Sequence, residues 1–416
     1  MARSIMPAWT GALLLAAAAA STPAHAADPI RIGFGMAETG GLAGNGKAAV
    51  FAIETWANDV NAKGGLLGRK VELIHYDDQS NPSLVPGIYT KLLDVDKVDL
   101  VLSGYGTNLT APAMPIVMQH NMLFLSNFAL AVNDEFHYDR YFQIQPNGPD
   151  ARHEFSRAFL AVAAMLNPKP KTIALVGADA EYPQAALSGA RENLKGTDYK
   201  IVYDKTYPPN TVDYTPIVRA IQASNPEAVF IASYPPDTSG FVRAINEVGF
   251  KPKLLGGGMV GLQFAALKTQ FGPLLNGIVD FEQYVPSPTM KLPGTDAFVQ
   301  KYQEKAGSLG IDQLGMYLPP YAYAGAQVYE QAVTATKSLD QGKLAQYIHT
   351  HKFDTIVGEV EFGENGEWKT ARILETQYRG IKDSSLDTFK KVGTQVILYP
   401  PQYKSGDVIP YDQAKQ

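Results

Sequence analysis

Short apolar runs and amphipathic stretches alternate along the chain from residue 30 onward. Residues 30–34 (IRIGF) read as a strand. Residues 47–61 have helical spacing, with Val50, Ile53, Trp56, Ala57 and Val60 on one face, and Lys63-Gly64-Gly65 stops the helix. The pattern then predicts a strand at 71–76, a helix at 83–94, a strand at 98–103, a helix at 111–120 and a strand at 123–126. Repeated strand–helix–strand order with right-handed crossovers predicts the α/β class, a parallel sheet covered by helices on both faces.

The pattern restarts after Gln145-Pro146-Asn147-Gly148-Pro149. Strands are expected at 171–176, 199–207, 228–232, 253–255 and 277–281, with helices at 185–194, 215–223 and 239–248 between them. A longer helical region follows at 295–336 and a short one at 344–349. Two α/β units of similar layout are therefore expected.

The N-terminus changes the setting. Arg3, the apolar run 11–20 (GALLLAAAAA) and Ala24-His25-Ala26 have the order of a cleavable secretory signal over residues 1–26, with a mature start at Ala27. The run is about half of the ~20 residues that a spanning helix needs, and no cysteine follows it to carry a lipid. An exported chain without cysteine must hold together without a disulfide. At about 390 mature residues it has the length for two ordinary domains. The net charge of −5 argues against nucleic acid or an anionic membrane as partner.

Several segments together carry a resemblance. They are residues 32–68 (IGFGMAETGGLAGNGKAA through ANDVNAKGGLLG), Tyr76-Asp77-Asp78-Gln79-Ser80, 101–116, 213–218 (DYTPIV), 225–248 (NPEAVFIASYPPDTSGFVRAINEV) and Leu398-Tyr399-Pro400-Pro401. In that order and spacing the chain resembles the type I periplasmic solute-binding proteins, specifically the branched-chain amino-acid and amide-binding family of ABC importers. The resemblance implies two lobes joined by three crossings near 141–147, 278–284 and 353–360. Lobe one is then 27–144 plus 283–354, lobe two 145–282 plus 355–390, and 391–416 a C-terminal tail packing on the lobes. It also implies a periplasmic monomer that holds a small-molecule solute in the cleft and hands it to permease and ATPase subunits, with no cofactor, metal or catalytic residues.

In open parallel sheets the site lies at the carboxyl ends of strands, so the loops after residues 34, 103, 126, 177, 232 and 255 are expected to carry it. Glycines in Ser103-Gly104-Tyr105-Gly106-Thr107-Asn108 let backbone N–H groups approach a ligand. The resemblance makes Thr107 and Asn108 the carboxylate anchors and Tyr182 a residue that closes from lobe two. Asn45, Tyr105, Asn127, Phe128, Ala129, Tyr234 and Met259 complete the expected ligand-binding set. Two departures bear on the ligand. Family members that bind α-amino acids hold the ammonium with a threonine and a glutamate, and Leu130 and Gly258 stand there in this chain. Burying an ammonium without a carboxylate costs several kcal/mol. The expected ligand is therefore an aromatic or aliphatic carboxylate, or an amide, without an α-ammonium group. A branched-chain or other hydrophobic amino acid is the alternative, and a ligand-sensing module for a receptor the alternative class.

Other signals are weaker. Gly41–Lys47 (GLAGNGK) matches a phosphate-loop pattern, but Ala48 replaces the magnesium-binding Ser or Thr, so it reads as a glycine-rich loop lining the cleft. His75-x-Asp77-Asp78 reads as a polar strand end, His349-x-His351 as an exposed helix end, and Tyr317, Tyr321 and Tyr323 as a packing cluster.

Overall fold

The computed structural model describes Met1 and residues 28–414; the expected signal segment lies outside the described residues. The first sheet holds β1 (Ile30–Met36), β2 (Val71–Asp77), β3 (Leu100–Leu102), β4 (Phe124–Ser126) and β5 (Tyr141–Gln143). Its order is β2-β1-β3-β4-β5, every pair parallel. The second holds β6 (Thr172–Ala178), β7 (Lys200–Tyr207), β8 (Ala228–Ser233), β9 (Leu254–Met259) and β10 (Val279–Glu282). A hairpin of β11 (Lys352–Thr355) and β12 (Gly358–Glu361) follows, and β13 (Leu374–Tyr378) and β14 (Gln395–Tyr399) then extend the second sheet antiparallel, in the order β14-β13-β10-β9-β8-β6-β7. The strands of both sheets are mostly buried and apolar, as sheets covered on both faces require. Helix Ala43–Ala62 packs against Leu318–Thr336 over the first sheet, and Ala151–Met165 against Glu181–Leu194 over the second. The result is two α/β lobes.

The structure departs from the expectations in four places. The GLAGNGK stretch is not a loop throughout: the helix already begins at Ala43, and a Cβ at Gly46 would stand 1.8 Å from the Ala37 carbonyl. The stretch still faces lobe two, with Gly44 against Phe264 and Gly41 against Pro236. The region 295–336 is two helices, Pro293–Leu309 and Leu318–Thr336, because Gly310 caps the first in the left-handed conformation (φ 64°) and prolines open the second. The third crossing falls later than 353–360. Those residues form the hairpin, which Gln327 and Thr295 tie to lobe one by bonding the Ile356 N–H (2.9 Å) and carbonyl (2.8 Å). The chain therefore crosses between β12 and β13, where the Arg372 N–H donates to the Pro146 carbonyl of the first crossing at 2.8 Å. Finally, the expected tail supplies strand β14 to the lobe-two sheet, and its Tyr411 N–H bonds the Lys253 carbonyl at 2.8 Å.

Candidate functional site

The loops that leave β3 and β4 are zipped together. Asn127 donates its backbone N–H to Ser103 Oγ (2.8 Å) and its side-chain amide to the Ser103 carbonyl (2.6 Å). The Gly106 N–H donates to the Phe128 carbonyl at 2.8 Å, and Gly106 takes φ 103°, a conformation that glycine adopts without strain. Thr107 Oγ1 accepts the Leu130 N–H at 3.0 Å, which leaves the hydroxyl proton free to donate elsewhere. Backbone conformation and hydrogen bonding thus fix the lobe-one rim.

These loops face lobe two across a cavity lined mainly by aromatic rings. Tyr105, Phe128 and Tyr317 come from lobe one, and Phe155, Tyr182, Tyr234 and Phe281 from lobe two. Ring centroids lie 4.9 Å apart for Phe128 and Tyr317, 4.7 Å for Phe155 and Phe281, and 5.5 Å for Tyr182 and Tyr234. Thr107, Gln145 and the Gly106, Ala129 and Leu130 segments add polar groups, and neither Lys nor Arg, nor Asp or Glu, is on this lining among the described residues. The free space is about 20 Å³, room for about one water. The paired rings meet at angles of 53–73° and wall a narrow slot. Burial pushes the Tyr105, Tyr182, Tyr234 and Tyr317 hydroxyls upward, so they stay neutral hydrogen-bonding groups.

Of the expected residues, Tyr105, Thr107, Phe128, Ala129, Tyr182 and Tyr234 line the slot. The other four sit one layer back. Asn45 lies against the Tyr105 hydroxyl from the first turn of helix Ala43–Ala62. Asn127 is the strut between loops described above. Asn108 accepts the Tyr234 hydroxyl at 2.8 Å, joining the lobes directly. Met259 is fully buried and donates its N–H to Asp280 Oδ1 at 2.8 Å.

Phe155, Phe281, Val260, Gln145 and Tyr317 also line the slot, and sequence reasoning missed them or, for Tyr317, read it as packing. Tyr317 opens a helix just before Leu318, a position visible as Tyr-Leu-Pro-Pro, and that terminus points at the cleft. Tyr321 instead bonds the Gln283 carbonyl, and Tyr323 bonds Asp59.

Position 258 is sterically filled. Tyr182 donates its hydroxyl to the Gly258 carbonyl at 2.9 Å, and a Cβ at Gly258 would stand 2.9 Å from the same oxygen. Tyr182 thus takes the space into which a side chain at 258 would grow. Two carboxyls lie near Tyr182 behind the slot wall, Asp280 and Glu375, both fully buried. Asp280 is held by the Met259 N–H and Gln263, and Glu375 has no hydrogen-bond partner. Burial raises both well above the usual carboxylate range, and neither lines the slot.

Elsewhere, His75 stacks on Phe34 at 5.2 Å and meets Glu38, while Asp77 accepts the Glu38 and Thr39 N–H groups. His349 bonds the Asp139 carbonyl.

Comparison with known proteins agrees with this architecture. A Leu/Ile/Val-binding protein homolog from Brucella melitensis is 27% identical over 385 residues, covering 89% of this chain and 94% of that protein. Among solved structures, a solute binding protein of an ABC transporter from Rhodopseudomonas palustris in complex with p-hydroxybenzoic acid superposes with a TM-score of 0.74 at 20% identity, covering 94% of this chain and all of the other. The branched-chain amino acid transporter substrate binding protein of Streptococcus pneumoniae in complex with isoleucine gives 0.71 at 17%, covering 89% and 100%. The family model described as periplasmic binding protein matches residues 29–373. Two lobes, a cleft at the strand ends and this match over most of the chain lead to one conclusion: the chain belongs to the periplasmic binding protein family.

Proposed function

We propose that the protein is the periplasmic solute-binding component of an ABC importer and that it captures a flat aromatic carboxylic acid lacking an α-ammonium group. The observation that carries the reading is the slot itself: seven rings, neutral hydroxyls, a free Thr107 proton and no carboxylate on the lining. Ring faces and edges suit an aromatic guest. Thr107 and the backbone around Ala129 and Leu130 suit its carboxylate. Tyr182 closes off the place of an ammonium-binding side chain at Gly258. The complex of the Rhodopseudomonas palustris neighbour with p-hydroxybenzoic acid is in keeping with this ligand class.

Capture requires no bond to be made or broken. The closed form is favoured by its differential affinity for the solute, and a monomer with the lobes drawn together would be what the permease receives, the ATPase subunits being reached through it. Among the described residues no helix is long and apolar enough to cross a membrane.

A thermal-shift screen of the mature protein tests the reading. Benzoate-type and aryl-substituted acids are expected to raise the melting temperature by mass action, and leucine, isoleucine and valine to leave it unchanged. Stabilisation by the amino acids alone would overturn the ligand class and leave the binding-protein assignment standing.

A further inference from the structure

A second cavity opens off the slot. Thr107 and Leu130 line both spaces. The second is far roomier, about 280 Å³, and lies between helix Glu181–Leu194 of lobe two and the Ala131–Phe136 segment of lobe one. Arg152, near the start of helix Ala151–Met165, is the one cation on either lining among the described residues. Its Nη2 stands 3.3 Å from Asp134 Oδ2 across the lobes, a single contact. Its Nε is buried and has no hydrogen-bond partner.

A guanidinium presents a fork of donors that fits a carboxylate through two parallel bonds. Here one edge of that fork is committed to Asp134, and a buried donor remains open. The side chain is 29% exposed, so the guanidinium can be met from the cavity, and a buried N–H without a partner is costly until an anion pairs it. The acidic side chains on this lining, Glu135 and Glu181, are exposed and screened by water.

We propose that Arg152 is the counter-charge for the ligand carboxylate, and that the preferred solute is an aromatic acid whose carboxylate is set off from the ring by a short chain. This rests on the aromatic-acid reading above. The ring occupies the slot, the spacer passes over the hydrogen-bonded pair Thr107 and Leu130, and the carboxylate sits in the second cavity with the Thr107 hydroxyl and Arg152. A carboxylate attached directly to the ring would stay on the slot side and miss the guanidinium.

The test is calorimetric titration of benzoate, phenylacetate and 3-phenylpropionate into the wild-type protein, Arg152→Gln and Asp134→Asn. Affinity is expected to rise along the series in the wild type. Arg152→Gln should lose about 10- to 100-fold for 3-phenylpropionate and change little for benzoate. Asp134→Asn frees the guanidinium but also removes a contact between the lobes that acts on every ligand alike, so the ratio of 3-phenylpropionate to benzoate affinity should rise several-fold, which carries the test if Arg152→Gln does not fold. Undiminished binding of 3-phenylpropionate by Arg152→Gln, an unchanged or smaller 3-phenylpropionate-to-benzoate ratio in Asp134→Asn, or benzoate binding tightest would overturn the subsite while the aromatic-acid reading stands. Failure of the wild type to bind any of the three acids would remove the aromatic-acid reading and the subsite together.

Discussion

A single hydroxyl, that of Tyr182, stands where a side chain at position 258 would have to go, and it is the residue-scale basis of the proposed ligand class. The departure at 258 was readable in the sequence; the reason was not, because Tyr182 and Gly258 are far apart in the chain and meet through the sheet. Asp78 offers a separate test at the same scale. It lies fully buried beneath the Ser103–Thr107 loop, with Oδ1 accepting the Ser80 N–H and Oδ2 without a partner. Burial, then Asp77 and Glu38, pushes it from 3.8 up to about 6. A carboxyl whose folded value is raised favours folding while protonated. Its contribution is therefore full below pH 3.8 and is lost as the pH climbs through about 6. Asp78→Asn is expected to raise stability at pH 8 by about 2–3 kcal/mol and to add almost nothing near pH 4. Urea unfolding at the two pH values measures this; an equal gain at both would contradict it.

Elements decide which residues reach the cleft. The alternation of apolar and polar positions located most strands and most long helices, since their burial is local in sequence, but it missed the 15-residue helix Ala151–Met165. It could not show that the GLAGNGK glycines serve a helix start, because Gly46 is dictated by a contact with Ala37. Nor could it show that 353–360 turns back as a hairpin, since Gln327 and Thr295 hold it from other helices. Strand β9 (LLGGGM) looks weak on propensity and is central all the same. Gly256 takes φ 131°, and a Cβ there would stand 1.7 Å from the Val279 carbonyl on β10. Gly257 is pressed by Phe230 and Phe159. Gly256→Ala is accordingly expected to cost about 3 kcal/mol or more, through strain and overpacking together. Thermal unfolding reads this directly, and a melting temperature equal to wild type would refute it.

At the scale of the whole molecule, hydrogen bonds join the two lobes directly. Tyr234 of lobe two donates to Asn108 of lobe one at 2.8 Å, and the Ala265 N–H of lobe two donates to Asp312 at 2.7 Å. Such contacts bias the protein toward closure, and any affinity for solute includes that bias. Asn108 is not on the slot lining, so Asn108→Ala separates closure from ligand contact. It is expected to weaken solute binding by about 2- to 10-fold, the worth of one net hydrogen bond. Faster dissociation in stopped-flow fluorescence would mark the loss as one of closure, and unchanged affinity would show that the bond contributes nothing. The two-lobed plan itself was legible from the repeated α/β pattern and the resemblance. The aromatic lining was legible only in part, because Phe155, Phe281 and Tyr317 come from three separated segments.

The central claim is that this cleft accepts an aromatic acid and refuses its α-ammonium counterpart. Calorimetric titration of 3-phenylpropionate and phenylalanine, which differ only in that ammonium group, tests it most directly. The acid is expected to bind at least about 30-fold more tightly, because the slot offers the ammonium no carboxylate and Glu135 and Glu181 on the adjoining cavity are exposed and screened by water. Equal or tighter binding of phenylalanine would contradict the account.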